Sequence, residues 1–285
     1  MDFQTLHTFS ELARCLNFSQ TAQNLFVTQS TITKRISELE KEIGKPLFIR
    51  DKRHVSLTNY GMLYLEYVDR ILNLEKTSIA ELNAYETYSN NLKIGATNSI
   101  YECHLFDLIS KYEQSSPENA INVSIDHSQE LIQFLQDGLL DLVFSFLPFQ
   151  KAGYECEPFH ADQLVLTTSY DNTLYRDGIK QSELTNIKYL MCNFALNDVG
   201  TYIRSLFPNH YQFKFEIDNS TKLLPYLLNG SGYSFLPEKM LETYINKKEL
   251  RIIPLLDIET PEIKSYYIGR LSSKDKWEKL LCTDA

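Results

Sequence analysis

The chain has 285 residues, 43% of them hydrophobic, which is enough for two or three compact units with sizeable cores. Its 37 Asp and Glu against 28 Lys and Arg give a formal net charge of -9, which taken alone argues against a nucleic-acid partner. No stretch reaches the ~18 apolar residues of a membrane span, and Met1-Asp2-Phe3-Gln4 lacks the basic and apolar regions of a signal peptide, so the expected home is cytoplasmic with no membrane partner.

Phe3, Leu6, Phe9, Leu12, Ala13 and Leu16 recur at helical spacing and predict a first helix with one apolar side. From Asn17 to Gly61 the pattern is a helix-turn-helix followed by a wing. Ser19 is placed to cap a short helix carrying Ala22 and Leu25, Phe26-Val27-Thr28 makes the turn, and Thr28 caps the next helix. In that helix Ile32, Ile36, Leu39 and Ile43 form an apolar stripe, which leaves Gln29, Ser30, Thr31, Thr33, Lys34 and Arg35 outside it. A small polar and basic face at a helix N-terminus suits a major groove, where Gln pairs with adenine and Arg or Lys with guanine. Gly44 and Pro46 stop the helix. Leu47-Phe48-Ile49 and Val55-Ser56-Leu57 are then short β-prone runs around a charged tip, on which Arg50, Lys52 and Arg53 suit phosphate contact. The charge distribution agrees. Up to Tyr60 there are eight Lys and Arg against six Asp and Glu, whereas the remainder has 20 against 31.

An opening helix, then FSQTAQNLFVTQSTITKRISELEKEIG, PLFIR and SLTNYG, in that order, resembles the N-terminal domain of the LysR-type transcriptional regulators. The resemblance implies a winged helix-turn-helix DNA-binding domain over residues 1–58, with Ser19 and Gln20 among the DNA-contacting residues. It also implies an interrupted inverted repeat in double-stranded DNA as target, and RNA polymerase as a protein partner. The family usually has Pro where Ser30 stands. Serine is at home in a first helical turn, so this departure bears on base contacts rather than on fold.

After the wing, Thr58 or Asn59 is placed to cap a helix running without Pro to about Tyr88. Leu65, Val68, Leu72, Ile79 and Leu82 follow the a/d spacing of a coiled-coil seam, with Glu75 in a skipped slot. Such a stripe predicts a partner helix, the alternative being packing onto its own chain. By resemblance, residues 59–90 are the family's linker and dimerisation helix with a hinge at Ser89-Asn90-Asn91, and the assembly is a homodimer or homotetramer.

From Leu92 strands alternate with helices. Strands are expected at 92–96, 121–125, 140–146, 163–168, 188–192, 213–217, 233–236, 251–254 and 262–269, with helices at 100–112, 130–136, 199–207, 222–228 and 237–245 between them. Alternation of this kind predicts parallel strands with right-handed crossovers. Ser272 and Asp275 are placed as a capping box before Trp277, Leu280 and Leu281. By resemblance this is a periplasmic-binding-protein-like α/β effector domain. Its subdomain I covers residues 91–161 and 264–285, its subdomain II residues 162–263, and the chain crosses between them near Ala161 and Lys264. The closing helix is short for the family, so subdomain I is expected to be less well covered on that side.

Thr97, Asn98, Ser99, Ser128, Asn193, Asn197 and Ser220 stand where strand ends meet helix starts, the places at which such folds collect ligands, so they are the candidate contacts to a small-molecule effector. Each also reads simply as a helix cap. Asp198, Glu102 and Glu130 bring acid near these helix starts, with Arg204 and Lys222 as cations, a mixture that fits a zwitterion or polar metabolite. No cofactor and no metal is expected. No Gly-x-Ser-x-Gly, Walker loop, Gly-x-Gly-x-x-Gly or His-Glu-x-x-His occurs, so an enzyme is not expected. His104 and His127 are weighed as a metal pair and read instead as surface or satisfied histidines. The five scattered cysteines contain no Cys-x-x-Cys and are expected to be reduced. The competing reading is a small-molecule-binding protein whose N-terminal domain makes protein contacts only.

Overall fold

The computed structural model describes residues 2–50, 54–85, 90–193 and 198–282, and of residues 80, 81, 83–85 and 198 the backbone only. Lys52 and Arg53 of the wing, Ser89 of the expected hinge and Asn197 lie outside the described residues. The chain divides into two compact units, Met1–Thr87 and Tyr88–Ala285.

In the first unit, α1 (Phe3–Cys15), α2 (Phe18–Asn24) and α3 (Gln29–Ile43) close around Phe9, Leu12, Ile32, Ile36, Leu39 and Leu47. The helix ends are set by local chemistry. Asp2 Oδ1 accepts from the Thr5 N–H, Thr28 Oγ1 from the Thr31 N–H, and Gly44 ends α3 in the left-handed region at φ 74°. Ser19 is not the cap of α2. Asn17 Oδ1 accepts from the Ser19 and Gln20 N–H groups, so the helix begins earlier and Ser19 lies within its first turn. Strands β1 (Phe48–Arg50) and β2 (Val55–Leu57) pair antiparallel as the wing.

Helix α4 (Asn59–Tyr85) starts under Thr58, whose Oγ1 accepts from the Gly61 N–H and donates to the Pro46 carbonyl. A Cβ on Gly61 would lie 2.1 Å from the Leu47 carbonyl oxygen, so wing and linker meet through a bare backbone. The 27-residue helix is about 40 Å long. Its apolar stripe does not serve one purpose throughout, as the seam pattern had implied. Val68 is fully buried in the core of its own unit, with Leu65, Ile71 and Leu72 packed beside it, because α1 lies along this half of the helix. Ser10 donates to Asp69, and His7 lies 3.7 Å from Glu75. Further along, Ile79 and Leu82 are exposed, at 53% and 73%.

The second unit is built on a seven-stranded sheet in the order β10-β6-β11-β5-β3-β4, with β9 also on β6. Its strands are β3 (Asn90–Ala96), β4 (Asn119–Ile125), β5 (Leu142–Ser145), β6 (Tyr154–Ser169), β9 (Tyr233–Pro237), β10 (Leu250–Ile253) and β11 (Glu262–Arg270); a separate pair, β7 (Met191–Cys192) and β8 (Glu216–Ile217), is parallel. Strand β3 runs parallel to β4 and β5, as alternation implied. The sheet as a whole is nevertheless mixed, because β6 and β11 are long enough to run antiparallel through both lobes, with Ala161 opposite Lys264. One lobe is cored by Leu92, Ile94, Phe144 and Tyr112, and the other by Leu166, Leu190, Ile203, Leu223 and Phe235.

Helices α5 (Asn98–Ile100), α6 (Phe106–Ser115), α7 (Ser128–Gln136), α8 (Asp198–Ser205), α9 (Ser220–Leu228), α10 (Glu238–Asn246) and α11 (Lys274–Leu281) flank the strands. The single helix expected at 100–112 is interrupted by a π-helical turn, Tyr101–Leu105. The capping box at Ser272 does not form. A 3₁₀ turn, Leu271–Ser273, takes up that residue, and α11 begins after Ser273 without a side-chain cap. Short as α11 is, Trp277 and Leu280 are buried in the first lobe, and the Trp277 ring lies where a Cβ on Gly269 would be.

Candidate functional site

The first surface is the exposed end of α3. Gln29, Ser30, Thr33 and Lys34 are exposed and Thr31 is half-buried. They are held by local bonds: Ser19 donates to Gln29 Oε1 at 3.2 Å, Thr28 Oγ1 lies 2.9 Å from Ser30 Oγ and 2.8 Å from Thr31 Oγ1, and Thr33 donates to the Gln29 carbonyl. Gln20 is exposed and donates to Asn24. Arg35 faces elsewhere, since its guanidinium donates to Thr8 Oγ1 at 3.1 Å and Gln4 Oε1 at 2.8 Å on α1. Arg50 is drawn back against its own unit by Glu40, at 3.0 Å, and by the Phe18 ring, 4.9 Å from its guanidinium carbon. Glu40 also accepts from the Leu47 and Phe48 N–H groups, so one carboxylate fixes both the root of the wing and its first arginine. Lys34 is an exposed cation, 3.9 Å from Glu38.

The second site is a recess of about 250 Å³ between the lobes of the second unit. Thr97, Asn98, Ser99, Ile125, Asp126, His127, Asp218, Asn219, Ser220 and Lys222 line it. Four predicted residues therefore meet here: Thr97, Asn98, Ser99 and Ser220. Asn98 Nδ2 reaches across from one lobe to the other, donating to Thr221 Oγ1 at 2.7 Å and approaching Ser220 Oγ at 3.4 Å. The start of α9 is already capped by Asn219 Oδ1, which accepts from the Lys222 N–H. The starts of α5 and α7, after Thr97 and His127, have no side-chain cap. Uncapped helix starts attract anionic groups. The Thr97 hydroxyl is buried here and has no hydrogen-bond partner among the described residues.

Two of the described candidates, Ser128 and Asn193, do not line this recess. Ser128 Oγ accepts from the Phe146 N–H, tying α7 to the end of β5. Asn193 accepts from Arg204, which also pairs with Glu216 at 2.6 Å. Asn197 is outside the described residues. Asp126, His127 and Asp218 were missed as contacts, although their position was legible, immediately before the helix starts at Ser128 and Ser220.

A larger recess of about 500 Å³ lies in the first unit between α1 and α4, where His7, Glu11, Arg14, Asp69 and Glu75 are among the lining residues. Arg14 lies 3.6 Å from Asp69 and His7 3.7 Å from Glu75 within it.

Comparison with known proteins follows the same division. The family model described as "Bacterial regulatory helix-turn-helix protein, lysR family" matches residues 3–62, and "LysR substrate binding domain" matches residues 86–275. Among curated relatives, the HTH-type transcriptional regulator CitR of Bacillus subtilis (strain 168) is 30% identical over 279 residues, covering 96% of this chain and 95% of that one. YwqM of the same organism, described as an uncharacterized HTH-type transcriptional regulator, is 29% identical, covering 84% and 83%. Among solved structures, full-length CbnR complexed with its target DNA has a TM-score of 0.68 at 20% identity, covering 99% of this chain and 97% of that chain. A full-length OxyR variant from Pseudomonas aeruginosa has a TM-score of 0.56 at 21% identity, covering 100% and 94%.

Proposed function

This chain belongs to the LysR family of bacterial helix-turn-helix regulators and is a DNA-binding transcriptional regulator of that type, and on that premise we propose that a small polar metabolite, bound between its two lobes, sets how it holds DNA. The end of α3 reads base edges through Gln29, Ser30, Thr31 and Thr33. Lys34 and the wing cations Lys52 and Arg53 contact phosphates, with Ser19 and Gln20 alongside. Arg35 and Arg50, held to α1 and to Glu40, contribute by positioning the helix and wing.

The metabolite is small, because the recess of about 250 Å³ falls below the ~300–1,000 Å³ typical of ligand pockets. It carries an anionic group for the uncapped starts of α5 and α7. A donor-bearing or cationic end faces Asp126 and Asp218, with Lys222 nearby. The observation that carries this reading is the buried Thr97 hydroxyl with no partner, since a ligand atom placed there removes a standing cost of about 1–3 kcal/mol. Closure of the lobes on the ligand resets the spacing of DNA-binding units in a homodimer or homotetramer, assembled in part through the exposed end of α4. The target is an interrupted inverted repeat, the compartment is the cytoplasm, RNA polymerase is the downstream partner, and no cofactor is needed.

The test is footprinting of the full chain on DNA flanking its own gene, with and without a metabolite found by thermal-shift screening. Two protected half-sites whose pattern changes with the metabolite support the proposal. A footprint that no stabilising metabolite alters removes the sensory role from the cleft.

A further inference from the structure

Away from the cleft and the DNA-binding surface, three side chains of metal-ligating type converge where the first lobe meets the crossover strand. The Cys103 Sγ, a ring nitrogen of His104 and a carboxylate oxygen of Asp162 all lie within 4.8 Å of one another. Cys103 and His104 belong to the π-helical turn Tyr101–Leu105 and Asp162 to β6. Successive residues of an α-helix do not face one another, whereas the wider π turn changes that angle, and such turns recur at functional sites.

We propose that Cys103, His104 and Asp162 bind a divalent transition-metal ion of the zinc class. Thiolate, imidazole and carboxylate is a donor set that suits Zn²⁺ and disfavours Mg²⁺ and Ca²⁺, which require oxygen ligands. A tetrahedral Zn²⁺ with bonds of about 2.0–2.3 Å separates its ligand atoms by roughly 3.3–3.6 Å. His104 Nε2 now lies 2.8 Å from Asp162 Oδ2, so that pair opens by a few tenths of an ångström to admit the ion while the thiol draws in. The His104 ring is already oriented, being stacked on His160 at 3.9 Å and 8° and meeting Phe159 edge-on.

Charge favours the ion as well. The His104 and Asp162 side chains are only 7% and 11% exposed, and thiolate plus carboxylate neutralise a dication, leaving an assembly of no net charge. Without a cation the same surroundings oppose a thiolate, and burial, then Asp162 and Glu102, push the Cys103 thiol up to about 12. Because the ligands come from a helix of one lobe and a strand shared by both, the ion fastens the crossover to the first lobe.

The experiment is a Co²⁺ titration of the metal-stripped full chain, read by absorption. The expected result is a thiolate-to-cobalt charge-transfer band saturating at one equivalent per chain, bleached by Zn²⁺, abolished in Cys103→Ser and retained in Cys15→Ser and Cys282→Ser. Asp162→Asn keeps the side-chain shape, so it tests the site even if Cys103→Ser fails to fold, and it is expected to weaken Co²⁺ binding at least about tenfold. No band at one equivalent, a band that survives Cys103→Ser, or unchanged Co²⁺ affinity in Asp162→Asn would overturn the assignment.

Discussion

Thr97→Val separates a ligand contact from a structural one by the sign of its effect. The backbone at Thr97 is extended, with φ -71° and ψ 151°, and a β-branched side chain adopts this as readily with a methyl as with a hydroxyl. The residue is 5% exposed and its Oγ1 has no partner, so valine removes an unsatisfied polar atom and keeps the shape. A buried hydroxyl left unpaired costs about 1–3 kcal/mol, so the unliganded variant is expected to be more stable by about that amount. At roughly 2–4 °C per kcal/mol for a unit of this size, calorimetry should show a rise of at least about 2 °C. The same change should weaken metabolite binding by about 0.5–1.5 kcal/mol, roughly 2- to 12-fold, in titration calorimetry, and by more if the ligand atom is charged. A variant less stable than the parent would show that the hydroxyl has a structural partner. A more stable variant with undiminished metabolite affinity would show that the ligand does not use it. Either result removes the Thr97 hydroxyl as an unpaired ligand contact.

Three further outcomes follow from other contacts. Asn98→Ala removes the bond across the cleft to Thr221 and should lower stability by about 1 kcal/mol in calorimetry and weaken the metabolite, whereas unchanged stability would mean the lobes are not held there. Gly61→Ala puts a Cβ 2.1 Å from a carbonyl oxygen that already accepts from the Thr58 N–H, so a loss of about 1–3 kcal/mol and weaker DNA binding in gel shift are expected; a neutral result would deny the close approach of wing and linker. The Glu11 carboxyl is held below its usual range by the Asn24 amide and then by Cys15, so its contribution is present above pH 4.5 and lost as pH falls through the lowered value. Asn24→Ala should flatten the acid limb of the stability profile, and an unchanged limb would assign the acid sensitivity elsewhere.

Much of the N-terminal unit was legible because its signals are local. Thr28 and Gly44 bracket α3 by capping chemistry, and the stripe from Ile32 to Leu39 faces the core as its period requires. What escaped was decided by distant partners. Arg35 has the look of a groove-reading residue until α1 supplies Thr8 and Gln4, and Val68 fits a dimer seam until α1 covers it. The first half of β6 went unread because Tyr154–Asp162 contains Pro158 and several charges and is a strand only through its pairing with β11, a hundred residues on. Four of the cleft residues could be named from strand-end and helix-start positions. The lobe-to-lobe bond of Asn98 and the missing partner of Thr97 exist only in three dimensions.

Whether the end of α3 reads sequence is decided by the DNA affinity of the parent chain and of Gln29→Ala on the footprinted site and on scrambled DNA across a salt series. The parent should bind its site at least about 10³-fold more tightly than scrambled DNA. Gln29→Ala should lose roughly 1–3 kcal/mol on the site and little on scrambled DNA, with the salt slope unchanged because no phosphate contact has been removed. Equal affinity of the parent for both DNAs, or no binding to either at low salt, would show that α3 does not read sequence.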